Sequence, residues 1–146
     1  MKKKFIFFLL FPLFLTSQNQ TNNYISIGFL DHKTGNSVIG YTRSILQNTN
    51  NEVFVGFGTA IAINSFVIGY KKYFMRSLLD GYSVISMQKI YGMGGDLNAP
   101  CISIGVEKKI WKILFLNIGI NSTMRSSSSK KIDFITFPNI NLNIRY

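Results

Sequence analysis

The segment Ile140-Asn141-Leu142-Asn143-Ile144-Arg145-Tyr146 alternates strictly between apolar and polar side chains. Neighbouring side chains of a β-strand point to opposite faces, so the isoleucines, the leucine and the tyrosine share one face of a strand. The two asparagines and the arginine share the other face. The segment therefore predicts a β-strand that has one apolar and one polar side and that ends on an aromatic residue.

The same alternating pattern recurs along the chain, and stretches rich in Asn, Gly, Asp and Ser separate the copies, as turns require. Most copies have about ten residues, the length that a tilted strand needs to cross a bilayer. Eight strands joined in sequence predict an all-β fold, an eight-stranded antiparallel up-and-down transmembrane β-barrel. The eight runs are residues 23–30, 38–46, 52–63, 65–74, 81–91, 99–108, 112–123 and 137–146.

Within the runs, one face is bulky and apolar and the other is small and polar. In the sixth run, Ile102 and Ile104 oppose Ser103 and Gly105. A soluble barrel turns its apolar face inward, and its exterior carries charges on about a quarter to a third of the surface. The polar face here is mostly uncharged, which favours the filled lumen of a membrane barrel. The fifth run changes phase after Val84, which we interpret as a β-bulge.

The N-terminal residues have the pattern of a secretory signal peptide. Three lysines follow Met1, residues 5–15 form an apolar stretch of eleven residues, and Thr16 and Ser17 are small. A membrane-spanning helix needs about 20 apolar residues, so this stretch is too short for one. We predict a signal peptide over residues 1–17 and one barrel domain over residues 18–146.

The chain is basic and contains a single cysteine. Its formal net charge is +10, of which the signal peptide supplies three, so the remaining domain carries +7. An exported chain rarely meets nucleic acid, and we expect none as a partner. We expect the positive charge to meet anionic lipid headgroups or lipopolysaccharide phosphates, and Lys130 and Lys131 could contact such phosphates. The alternative is that the lysines serve only solubility. Cys101 has no partner for an internal disulfide.

These features resemble the small eight-stranded outer-membrane β-barrel protein family of Gram-negative bacteria. The resemblance covers the signal segment, the eight runs and the terminal strand. It implies a location in the bacterial outer membrane, a monomeric state and contact with outer-membrane lipids and lipopolysaccharide. It also implies insertion by the barrel assembly machinery, with Ile144 and Tyr146 as the assembly signal. Members of the family range from scaffolds to enzymes, so no activity follows.

Both termini of such barrels lie on the periplasmic side, which assigns the ends of the predicted strands. Tyr24, Tyr73, Trp111 and Tyr146 then fall near the periplasmic rim. We expect these four side chains to form an aromatic girdle at the level of the lipid headgroups.

Three charged residues share the small polar face that we assign to the lumen. They are Lys71, Glu107 and Arg145. An acid inside a narrow barrel needs a cationic partner, because an unpaired buried charge is costly. Glu107 paired with Lys71 or Arg145 would plug the lumen. The alternative is that all three lie at the periplasmic rim in water.

The sequence shows no catalytic set. His32 is the only histidine and lies in the turn-like segment Asp31-His32-Lys33-Thr34-Gly35, so we expect it in an exposed outer loop. With one His, one Cys and six acids, we expect no metal and no cofactor. The favoured function is a non-enzymatic structural or surface-interaction barrel. The alternatives are a soluble exported β-barrel that binds a small apolar ligand and a lipid-A-modifying barrel enzyme.

Overall fold

The computed structural model describes residues 22–92, 95–126 and 132–146, and these residues form a closed barrel of eight antiparallel strands. This confirms the predicted all-β up-and-down barrel. The predicted signal peptide lies outside the described residues. Within the described residues, no helix is long and apolar enough to cross a membrane. The strands are β1 (Asn23–Phe29), β2 (Ile39–Gln47), β3 (Asn51–Ala60), β4 (Ile63–Met75), β5 (Asp80–Gly92), β6 (Gly95–Lys109), β7 (Leu114–Ser126) and β8 (Ile132–Arg145).

The barrel closes where β1 pairs with β8. Asn23 and Tyr146 exchange two backbone hydrogen bonds of 3.1 and 3.2 Å at this seam. We call the end of the barrel that contains these two residues the near end, and the opposite end the far end. The connections at the near end are residues 48–50, 76–79 and 110–113, and the described connections at the far end are residues 30–38 and 61–62.

The strand ends differ from the predicted ones mainly at the far end. Pairing of β5 with β6 continues up to Gly92 and Gly95, and pairing of β7 with β8 continues up to Ile132, so β6 and β8 begin earlier than predicted. The turn between β3 and β4 is Ile61 and Ala62, whereas the predicted runs 52–63 and 65–74 left only residue 64 between them. The backbone geometry explains this shift, because Ile61 adopts a φ of 60° in the turn.

The apolar face of the strands points outward, as the alternating pattern predicted. On β6, Ile102 and Ile104 are 57% and 56% exposed, whereas Ser103 between them is buried. The predicted bulge after Val84 is wrong, because β5 pairs in regular register there and Val84 points into the lumen. The register shifts lie in β2 after Ser44 and in β4 after Tyr73.

The connection between β1 and β2 folds back into the barrel. Asp31, His32, Lys33, Thr34 and Ser37 are all at most 3% exposed, and we call residues 31–37 the plug. A segment of the chain therefore fills the lumen together with the inward side chains of the strands.

Glycines on the inner faces of β2 and β3 leave the room that the plug occupies. A Cβ atom at Gly56 would overlap the carbonyl oxygen of Lys33, and one at Gly40 would overlap the side chain of Thr34. A Cβ atom at Gly58 would lie 2.7 Å from the carbonyl oxygen of Thr34. The backbone of the plug therefore packs directly against the backbone of the wall, which only glycine permits.

Replacement of Gly56 by alanine tests this packing. We expect Gly56→Ala to lower the free energy of unfolding by about 1–3 kcal/mol, because the new methyl group overpacks the lumen. Urea unfolding of the refolded barrel in detergent measures the change. Gly92→Ala is the matched control, since a Cβ atom there meets its nearest neighbour at an ordinary 3.4 Å. Equal stability of the two variants would place the plug outside the barrel.

Candidate functional site

An ion pair in the lumen holds the plug. The Nζ atom of Lys33 lies 2.6 Å from Oε1 of Glu52 on β3, and both side chains are buried. The hydroxyl of Ser44 donates to the same carboxylate oxygen. The Lys33 ammonium also lies 3.9 Å from the centroid of the Tyr24 ring and 5.5 Å from that of Phe54. Each charge is therefore compensated inside the barrel by its partner, a hydroxyl or an aromatic face.

The plug is a compact turn that Asp31 organises. The carboxylate of Asp31 accepts hydrogen bonds from the backbone N–H of Lys33 at 3.1 Å and from the hydroxyl of Thr34 at 3.2 Å. The N–H of Gly35 donates to the carbonyl of Asp31 at 2.8 Å, and Gly35 adopts a φ of +76° that glycine tolerates. Aspartate favours such turns because its side chain can bond the backbone two residues on.

Hydrogen bonds to other walls fix the position of the plug. The hydroxyl of Ser65 on β4 donates to the carbonyl of Thr34. The side-chain amide of Asn121 on β7 donates to the carbonyl of Leu30, just before the plug, at 2.8 Å. Together with Glu52 on β3, these contacts tie one connection to three strands.

The structure brings Lys71, Glu107 and Arg145 together in a second charged cluster. The Nζ atom of Lys71 lies 3.0 Å from Oε2 of Glu107, and the guanidinium of Arg145 pairs with Oε1. The hydroxyl of Tyr73 donates to the same Oε1 at 3.2 Å. Lys71 and Glu107 are fully buried, so they do not lie in water at the rim. The alternating pattern had assigned all three side chains to one face, which is why they meet.

The prediction that His32 lies in an exposed loop is wrong. His32 is 2% exposed, and the centroid of its ring lies 4.7 Å from that of Tyr82. Its Nδ1 atom lies 3.3 Å from the Tyr82 hydroxyl and 3.4 Å from a carboxylate oxygen of Asp31. The polar composition of the segment is typical of a surface turn, but the barrel uses this turn to fill its lumen.

Burial makes His32 a neutral residue at neutral pH. His32 belongs to the connection between β1 and β2, outside the strands. Desolvation is the main cause that holds the pKa of His32 well below its ordinary value, and the positive charges of Lys71 and Lys33 lower this pKa further. The imidazole therefore adds no charge to the lumen.

Two of the four residues predicted for the aromatic girdle point inward, which corrects that prediction. Tyr24 and Tyr73 are 1% and 4% exposed, whereas Trp111 and Tyr146 are 70% and 62% exposed at the near end. Strand alternation explains the difference, because it places Tyr24 on the inner face of β1 and Tyr73 on that of β4. Ile144, predicted as part of the assembly signal, lies near the end of β8 and is half-buried.

Asparagines line the inner wall formed by β7 and β8. Asn117, Asn139, Asn141 and Asn143 are each at most 1% exposed. Neither amide atom of Asn117, Asn141 or Asn143 has a hydrogen-bond partner among the described residues. An unpaired buried amide costs about 1–3 kcal/mol, so this wall favours water or another polar group over an apolar ligand.

Other site chemistry is sparse in the described part of the chain. No three His, Cys, Asp or Glu side chains within it converge on a possible metal site, and Cys101 is a buried free thiol. The predicted lipopolysaccharide contacts Lys130 and Lys131 lie outside the described residues. In comparisons with known proteins, no protein-family model and no curated protein matches the chain.

Removal of the Lys33 charge tests the anchoring of the plug. We expect Lys33→Met to lower the free energy of unfolding by about 3–5 kcal/mol, because the Glu52 carboxylate then stays buried without its cation. The double variant Lys33→Met, Glu52→Gln should recover most of this loss. Denaturant titration of the barrel in lipid vesicles measures each value.

The matched control for this experiment is Lys72→Met. Lys72 is exposed on the outside of the barrel and forms no ion pair with any described residue, so we expect a change within about 0.5 kcal/mol. If Lys33→Met costs no more than Lys72→Met, the ion pair with Glu52 does not form.

Proposed function

We propose that the chain is a bacterial outer-membrane β-barrel with a plugged lumen that acts as a monomeric, non-enzymatic structural or surface-interaction protein. The observation that carries this proposal is the inverted distribution of side chains in the closed barrel. Apolar side chains cover the outside of every strand, and ion pairs and amides occupy the inside.

The exterior supports a lipid environment. Ile27, Phe57, Ile85 and Ile120 lie on four different strands and are each at least half exposed. Between the charged residues at the two ends of the barrel, Arg43 is the only outward charge on the described strands. Contiguous exposed apolar surface beyond a few hundred Å² marks an interaction site, and a band around a whole barrel fits a bilayer.

The filled lumen argues against two other functions. A general porin needs an open aqueous channel, and the plug occupies that space here. A soluble barrel that binds an apolar ligand needs its apolar faces inside, and this barrel has them outside. The buried asparagines and the charged clusters make the interior unfavourable for an apolar ligand, because such a ligand cannot form hydrogen bonds with them.

The surroundings of His32 support the absence of catalysis. A general base must reach its nucleophile within hydrogen-bond distance. The Nε2 atom of His32 is buried and has no hydrogen-bond partner among the described residues. In the described part of the chain, its Nδ1 atom contacts only Tyr82 and Asp31, and all three side chains are buried in the lumen, away from the outer surface that lipid A would contact.

Insertion and surface contacts are parts of the same proposal. The barrel assembly machinery would recognise β8, with Ile144 and Tyr146 as its signal, and insert the chain as a monomer. Lipopolysaccharide would then contact the outer surface. The pairing of β8 with β1 closes the barrel, so β8 is the strand whose recognition completes the fold.

Two neighbouring residues of β8 test the location and the assignment of faces. Ile140 is 55% exposed near the middle of the strand, and Asn141 is buried in the lumen. We expect wild type in the outer-membrane fraction, with a gel mobility that changes on boiling. Ile140→Arg should reduce that folded band, because arginine near the bilayer midplane costs about 2–4 kcal/mol in such barrels. The control Asn141→Ser should leave it intact, since the amide has no partner to lose.

Two results would contradict the proposal. Recovery of the wild-type protein from the soluble periplasm without detergent would exclude a membrane barrel. Greater damage from Asn141→Ser than from Ile140→Arg would show that the assigned faces are reversed.

A further inference from the structure

The charges of the barrel are separated by location. Among the described residues, which contain eleven cationic and six acidic side chains, the lumen holds three of each sign. The lumen charges therefore balance. They are the cations Lys33, Lys71 and Arg145 and the acids Asp31, Glu52 and Glu107.

The formal charges of the described strand residues at the far end balance as well. Lys89 lies 3.7 Å from Asp96, and Arg125 is the strand partner of Asp133 in the pairing of β7 with β8. The far end therefore contributes no net side-chain charge from the described residues. Arg43 adds one positive charge along the wall.

Among the described residues, most of the remaining net charge lies at the near end. Five cations lie at this end, on β4, on β6 and in the connections that follow these strands, and we call them the basic rim. They are Lys72, Arg76, Lys108, Lys109 and Lys112. Asp80 is the only acid on the outside of the same end, and it lies 3.7 Å from Arg76. The other four cations of the rim form no ion pair with any described residue, so they retain a net charge of +4.

Apolar side chains project from the near-end connections beside these cations. Leu78 is 82% exposed in the connection between β4 and β5. Ile110, Trp111 and Ile113 are at least half exposed in the connection between β6 and β7. Lys112 lies within this second connection, so one cation and three apolar side chains lie together in one short loop.

We propose that the basic rim and these connections form a docking surface for a leaflet of anionic phospholipid. This inference rests on the proposed function, because it places the near end at a bilayer surface. The cations pair with headgroup phosphates, while Trp111 and the aliphatic side chains enter the boundary between headgroups and acyl chains. A phospholipid leaflet has its phosphates and the upper part of its acyl chains within one thin layer. Lys112 and Trp111 are neighbours in the chain, so they can contact these two parts of the same leaflet.

Lipid selectivity tests the inference directly. The full barrel is refolded into phosphatidylcholine vesicles that contain trace spin-labelled phosphatidylglycerol or spin-labelled phosphatidylcholine. Electron paramagnetic resonance then measures the fraction of each label that the protein immobilises. We expect a several-fold preference for phosphatidylglycerol, which high salt reduces because it screens the rim.

Variants locate the preference. We expect the triple variant Lys108→Gln, Lys109→Gln, Lys112→Gln to immobilise the two labelled lipids almost equally. The far-end control Lys89→Gln should keep the preference, whereas Lys112→Gln, which also removes one charge, should lower it. All four positions lie outside the lumen, and the mobility change on boiling verifies that each variant is folded.

The outcomes separate the two proposals. Absence of any immobilised lipid would refute the membrane barrel and this inference with it. Immobilised lipid without a preference for phosphatidylglycerol, or a preference that survives the triple rim substitution, would overturn the inference alone. A preference for added lipopolysaccharide over phosphatidylglycerol would also overturn it, since the rim would then face that lipid.

Discussion

The ion pair between Lys33 and Glu52 is the interaction on which the interior of this barrel depends. It attaches the only described connection that enters the lumen to β3, with 2.6 Å between the charged atoms. Without this pair, two charges would be buried alone at a cost that a small barrel cannot absorb. The turn built by Asp31, the glycines that face it and the cation–aromatic contact with Tyr24 all serve to place Lys33 at that position.

The same constraint explains why the fold is inverted relative to a soluble barrel. An interior of charges, amides and a polar turn leaves no inner surface for the bulky isoleucines and leucines of the strands. These side chains therefore cover the outside, which under the proposed function faces lipid. The closed hydrogen-bond ladder leaves no strand edge, as a barrel in lipid requires.

Alternation was sufficient to predict the fold and part of the candidate site. Period-two patterns placed all eight strands, and they placed Lys71, Glu107 and Arg145 on one face, because side-chain direction in a strand is fixed by the backbone. Alternation also assigns Tyr24 and Tyr73 to the lumen. The prediction that they belong to a girdle was wrong because it considered how close they lie to the strand ends and not which face of the strand they occupy. The plug could not be predicted from alternation, since its turn residues are equally suited to a surface loop. One signal pointed to it: Gly40, Gly56 and Gly58 share the inner face of β2 and β3, so that part of the wall has no side chains to fill the lumen.

Fluorescence quenching by brominated lipids tests the central claim, that the apolar face of the barrel lies in the core of a bilayer. The reporter is Ile102→Trp in a Trp111→Phe background, refolded into vesicles with bromine at the middle of the acyl chains. Ile102 lies on the outer face at the middle of β6, so strong quenching by the lipid and weak quenching by aqueous iodide are predicted. Strong quenching by iodide with no effect of the brominated lipid would show that this face is in water and would contradict the membrane barrel.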